Sequence, residues 1–277
     1  MIISPARALD DRGNPARAGW PCHRPLERFL IFGVRGALLF LALFSVWPLS
    51  AGEVPGNRFV CSVLRHEGTW DPYGDLWPEI AENLRRTTSI DPWPDRRVLG
   101  LSDPALFESP FLVLTGRGAV AFSPDDADRL RAYLSAGGFL LVDNSEADPA
   151  GPFARSVSSL PARLFPDGEW KKIPADNAVF RSFFLLAEAA GRRKSGQGLK
   201  GLWVGGRLAA VYSPDDLEGP WVRSPAGGFL FPCEPGGEPQ RLEARKLLVN
   251  IVLFSLTGTY KTDAVHQEYL KRKLDLP

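Results

Sequence analysis

Cysteine and histidine are scarce in this chain. There are three of each in 277 residues: Cys22, Cys61 and Cys233, and His23, His66 and His266. One of each stands near the start, and no histidine occurs between His66 and His266. Structural zinc takes four thiolate or imidazole ligands at close spacing, and these residues have no such spacing, which excludes a zinc centre. Neither cysteine nor histidine stands near Asp143-Asn144-Ser145 in sequence, where an apolar strand ends, so cysteine-based acyl transfer at that strand end has no thiolate or imidazole close by in the chain. Charge of one sign is also missing, because 33 basic residues face 32 acidic ones and leave a net charge of +1. A nucleic-acid partner would need a basic stripe, so none is expected. The short run Lys271-Arg272-Lys273 reads as a solvated helix end.

What is present begins with a leader. Gly36 to Leu49 carries no charge, follows Arg35 and precedes Ser50-Ala51-Gly52. A basic residue, a short apolar core and a small residue at the cut make a secretory signal with cleavage after Ala51. The chain is therefore expected to be exported and periplasmic, with residues 1–51 as leader and 52–277 as one domain. The alternative is a membrane anchor over residues 29–49, which would put Arg35 in the bilayer at about 2.5–3.5 kcal/mol. Loss of the leader, with six arginines and three acids, takes the net charge to −2. Cys61 lies in an apolar run and reads as a small core residue; its pairing with Cys233 is left open by the sequence.

After the leader, strands and helices alternate. Arg58–Leu64, Arg97–Leu101, Phe111–Leu114 and Phe139–Val142 read as strands, and Trp77–Thr87 has helical spacing. The best-marked element starts at Ser123-Pro124-Asp125-Asp126, a capping box with proline at the first helical position. Ala127, Leu130, Tyr133 and Leu134 share one face of it, and Gly137-Gly138 end it. Strand, helix and strand at this spacing predict a right-handed crossover and a parallel pair. Further on, Phe153–Leu164 is expected to be one helix, Val179–Ala187 is an ambiguous apolar run, and Leu202–Tyr212 is a hairpin about Gly205-Gly206. Gln240–Thr257 is a buried helix closed by Gly258, and Asp263–Lys273 is a terminal one. The fold class expected is α/β: an open, mainly parallel sheet with helices on both faces, flavodoxin-like.

In such a sheet, ligands gather beyond the carboxyl ends of the strands. The residues expected there are Arg65, Thr115-Gly116-Arg117, Asp143-Asn144 and Arg207, with Trp70, Asp71, Ser213 and Asp216 as further binding candidates. Arginines beside free backbone N–H groups suit a small anionic ligand such as a carboxylate. The competing reading has each arginine paired with Asp71, Asp143 or Asp216 in a structural network. A hard cation on those three acids is a further option, set against their use as caps. Ser145 has no G-x-S-x-G around it, and Gly196 to Gly201 matches G-x-G-x-x-G but precedes a strand, so it reads as a loop. Trp70, Trp77, Trp93, Trp203 and Trp221 are the aromatic candidates for an interaction patch.

Several motifs in order resemble a bacterial domain-of-unknown-function family, number 4159. They are Trp70-Asp71, LFESPFLVLTGRG from Leu106 to Gly118, LRAYLSAGGFLLVDN from Leu130 to Asn144, FRSFFLL from Phe180, GGRLAAVYSPDDL from Gly205 to Leu217, and the ending VNIVLFSLTGTYKTDAVH. The resemblance implies a fold similar to the class I glutamine amidotransferases. Those enzymes carry a cysteine after the strand that Phe139–Val142 would match, whereas this chain has Asp143-Asn144-Ser145. Glutamine hydrolysis is thus not expected, and neither a cofactor nor a metal is implied. The expected role is a non-catalytic binding or interaction domain of the cell envelope, its partner an envelope protein or a small anionic ligand, with membrane association through the N-terminal segment as an option. The alternative is a hydrolase using Asp143 with Arg65 or Arg117, with or without a metal.

Overall fold

The computed structural model describes residues 58–262. The leader expected over residues 1–51 and the helix expected over Asp263–Lys273 lie outside the described residues. Seven strands form one sheet in the order β2-β1-β3-β4-β7-β6-β5. They are β1 (Cys61–Leu64), β2 (Arg97–Leu99), β3 (Phe111–Gly116), β4 (Phe139–Asn144), β5 (Lys171–Lys172), β6 (Lys200–Val204) and β7 (Arg207–Ser213). The first five in spatial order are mutually parallel, and β6 and β5 close that side antiparallel. The expected α/β architecture is what the chain adopts.

Among the described residues five α-helices cover the sheet: α1 (Trp77–Thr87), α2 (Pro124–Ser135), α3 (Pro152–Ser158), α4 (Leu160–Leu164) and α5 (Gly237–Thr262). Side chains alternate along a strand, so each strand feeds two cores. Val63, Phe111, Val113, Phe139 and Leu141 pack with Trp77, Ile80 and Leu84 of α1 and with Leu247, Leu248 and Ile251 of α5. Leu64, Leu112, Leu114, Leu140 and Val142 pack on the other face with Leu130, Tyr133 and Leu134 of α2 and with Phe153, Val157 and Leu160 beyond it. Full burial of one such aliphatic or aromatic side chain stabilises by about 1.5–3 kcal/mol, so both layers are needed to offset the entropy of ordering the chain.

Helix α2 shows how directly sequence can write structure. Ser123 accepts a hydrogen bond from Asp126 N, Asp126 accepts from Ser123 N, and Pro124 occupies the first turn. At its exit the Gly138 N–H donates to the Tyr133 carbonyl, and a Cβ on Gly138 would come within 2.3 Å of the Tyr133 ring.

Some expectations need correction. The helix expected over Phe153–Leu164 is two, because the proline nitrogen of Pro161 has no hydrogen to donate and Ser159 ends one helix and begins the next. Gly258 does not close α5, which starts at Gly237 and runs to Thr262. The run Val179–Ala187 holds only a 3-10 turn at Ala178–Phe180, and Asn177 caps it through Val179 N. The hairpin at Gly205-Gly206 forms as expected, both glycines having positive φ, yet its second strand is also the parallel neighbour of β4. Strand β5 carried no recognisable signal, being two exposed lysines.

Candidate functional site

Strands β1, β3, β4 and β7 deliver a row of polar residues to the carboxyl edge. Thr115 stands opposite Asp143, and Asp143 opposite Ser213, so the three share the face that packs α1 and α5. Asp143 is fully buried. Its carboxylate turns inward and accepts from Leu217 N at 2.9 and 3.0 Å and from Glu218 N at 3.1 Å. It thereby fixes the loop that follows β7. Burial, reinforced by the nearby charges of Asp216 and Glu218, holds its pKa well above the ordinary carboxylate range, against the two backbone donors.

The same loop brings two of its carboxyls, Asp216 and Glu218, to this site. Asp216 has φ of 61°, in the left-handed region, where Asp is tolerated better than most residues. It stays there because Tyr73 Oη donates to it at 2.5 Å, Arg192 Nε at 2.5 Å and Gly219 N at 2.8 Å. Burial raises its pKa, and the Arg192 and Tyr73 hydrogen bonds oppose that rise. Glu218 accepts from Thr115 Oγ1 at 2.8 Å, and Thr115 Oγ1 in turn meets Ser145 Oγ at 2.8 Å. Burial pushes the Glu218 carboxyl up to about 7, with the Asp216 charge adding to the shift and Thr115 and Arg96 working against it.

Arg96, from the segment before β2, forks onto both oxygens of Asp71 at 2.9 and 2.7 Å and reaches Asp75 at 3.1 Å. Trp70 lies beside it, with the guanidinium 5.8 Å from the ring centre. Glu218 and Arg96 also supply the polar lining of a narrow slot of about 30 Å³ between the strands and α5, otherwise walled by apolar groups such as Val63, Val113 and Leu248.

His66 is a structural residue. Its Nδ1 accepts from Gly68 N at 3.0 Å, so the proton sits on Nε2, which donates to the Thr115 carbonyl at 3.0 Å. Burial lowers its pKa, which keeps the ring neutral. The ring also explains Gly116: a Cβ there would lie 2.8 Å from the Thr69 carbonyl and 3.0 Å from His66 Nε2.

The sequence-derived candidates therefore separate into groups. Thr115, Asp143, Ser213 and Asp216 come together through the 214–219 loop, and Asp71 stands beside them through Arg96. Asn144 is buried and braces its own turn, giving Nδ2 to the Asp148 carbonyl and accepting from Glu146 N. Ser213 accepts from Asp215 N at 3.4 Å. Arg65 and Arg117 are exposed; Arg117 lies over the Tyr73 ring at 5.0 Å, and neither contacts Asp143. Arg207 belongs elsewhere. It begins β7 at the amino edge of the sheet and donates to the Leu134 carbonyl at 2.6 Å, so the direction of β7 removes it from the site.

Arginines do pair with Asp71 and Asp216, but they are Arg96 and Arg192 rather than those singled out from sequence, and Asp143 is held by backbone donors instead. Tyr73, Arg96, Arg192 and Glu218 were missed because their partners lie 24 to 143 residues away, which leaves no local signal. Among the described residues no group of three His, Cys, Asp or Glu is placed to hold a metal ion. Of the tryptophans, Trp77 and Trp221 are buried and Trp70, Trp93 and Trp203 are half-buried.

The sequence model of a family described as Domain of unknown function (DUF4159) matches residues 60–256. No curated protein gives a significant match.

Proposed function

The chain belongs to the family described as Domain of unknown function (DUF4159), and from that premise we propose that it is a non-catalytic binding domain of the cell envelope with an amidotransferase-like fold. The observation that carries this reading is the state of Asp143. It occupies the place where an amidotransferase-like sheet would present its nucleophile, and its carboxylate is buried and committed to the backbone of Leu217 and Glu218. The imidazole of His66, the histidine among the described residues, is committed too, since both its nitrogens are hydrogen-bonded to the backbone. Among the described residues no base contacts Ser145 directly, its hydroxyl meeting Thr115 in the chain that leads on to Glu218. A nucleophile requires a base within reach that can change its protonation during turnover, and His66 cannot serve. Placement in the envelope rests on the leader, an apolar run after Arg35 that ends at Ser50-Ala51.

The test is direct. The purified chain, incubated with glutamine, p-nitrophenyl acetate and p-nitrophenyl phosphate, is expected to give no product above the buffer rate. Turnover that disappears in Ser145→Ala or Glu218→Gln would overturn the reading. Cell fractionation checks the location, and a chain found only in the cytosol would contradict it.

A further inference from the structure

A wide concavity at the carboxyl edge has no part in the carboxyl network. It is a cleft of about 800 Å³ between the carboxyl ends of β1 and β2 and the start of α2. The sheet order β2-β1-β3 makes β1 the switch point, where the chain passes to one side and then returns on the other. Loops leaving neighbouring strands diverge there, and the crevice between them is a consequence of topology. Its volume falls in the range of about 300–1,000 Å³ typical of small-molecule sites.

The lining narrows the ligand class. Leu101 and Phe122 give it an apolar floor, and the half-buried indole of Trp70 forms part of the wall. Around them stand Arg65 and Glu67, both exposed and without a side-chain partner among the described residues, and Asp126, which uses one carboxylate oxygen on Ser123. An anion would meet Glu67 and Asp126, and a cation would meet Arg65. A wholly apolar ligand would strip water from all three charges without replacing it. A hydroxyl both donates and accepts, so vicinal hydroxyls satisfy a guanidinium and a carboxylate at once, while the C–H face of a sugar ring covers the indole and the apolar floor.

We propose that this cleft is a binding site for a neutral oligosaccharide, with Arg65 and Glu67 holding its hydroxyl groups and Trp70 its ring face. The proposal rests on the reading of the chain as a binding domain and supplies the ligand class which that reading lacks. It also departs from the small anion expected from sequence, because Arg207 is absent from this edge and two acids are present.

Titration calorimetry of the full-length chain with maltotriose, cellotriose and triacetylchitotriose tests it, with inorganic phosphate as the competing arm. At least one trisaccharide should bind, and its affinity should fall about tenfold in Arg65→Ala and in Glu67→Ala, as the loss of a hydrogen bond to a charged group implies. Both side chains are exposed and unpartnered, so these variants should fold normally. Binding of none of the three at millimolar concentration overturns the site, as does binding that ignores both substitutions or phosphate binding that depends on Arg65. Chromatography of the same mixtures separates the two claims: cleavage of a bound trisaccharide would refute the non-catalytic reading and leave the cleft standing as a sugar site.

Discussion

Three carboxyls, Asp143, Asp216 and Glu218, converge on one loop, and all three have raised pKa values for the same first reason, burial. A carboxyl with a higher pKa folded than unfolded holds its proton more tightly in the folded state. For Glu218 the stabilising contribution is complete below its ordinary value of 4.5 and is lost as the pH rises through about 7. Glu218→Gln keeps an acceptor for Thr115 and removes the charge. Its urea-denaturation midpoint should lie close to the parent's near pH 5 and exceed it at pH 8, by on the order of 1–3 kcal/mol in stability. Equal midpoints at pH 8 would show that Glu218 is not desolvated as described. None of this was legible locally, because a glutamate in Asp216-Leu217-Glu218-Gly219 reads as a solvated turn until β3 places Thr115 against it.

The tetrapeptide Ser-Pro-Asp-Asp occurs twice, and the two copies build different things. At Ser123 it opens α2 with a reciprocal capping box. At Ser213 it ends β7, where Asp215 accepts from Ser195 N and Asp216 turns back to Gly219 N at the start of a 3-10 turn. The residues after each copy decide the outcome: Ala127, Leu130 and Leu134 carry an apolar helical stripe, whereas Leu217-Glu218-Gly219-Pro220 cannot continue a helix. Chemical denaturation should therefore give a loss of about 1 kcal/mol for Ser123→Ala, the ordinary value of an N-cap, and only a few tenths for Ser213→Ala. Equal losses would mean that the second copy caps a helix as well. Helix α2 was readable in full because every signal for it lies within 16 residues. The break before α4 was readable in principle from Pro161, and the early start of α5 at Gly237 was hidden because Glu238-Pro239 resembles loop sequence.

At the scale of the whole molecule, the two cores clamp the sheet between α1 with α5 and α2 with α3 and α4. Cys61 lies within the first of these, and both it and Cys233 are free thiols. Burial raises the Cys61 thiol well above its ordinary pKa and denies reagents access to it. Peptide mapping after iodoacetamide treatment should find Cys61 unmodified in buffer and fully modified in denaturant, its labelling following global unfolding. Rapid labelling in buffer would mean that β1 opens on its own. The alternation of strands and helices, the parallel β3–β4 pair and the capped α2 were determined by the sequence alone. Each depends on residue type or on periodicity, and both are local properties. The tertiary structure decided which arginines meet which acids, that Arg207 lies at the far edge, that Asp143 faces inward, and that a wide cleft opens beside Arg65. Those outcomes depend on strand order and strand direction, which bring residues as far apart as Tyr73 and Asp216 to within 2.5 Å, and no short window of sequence contains that information.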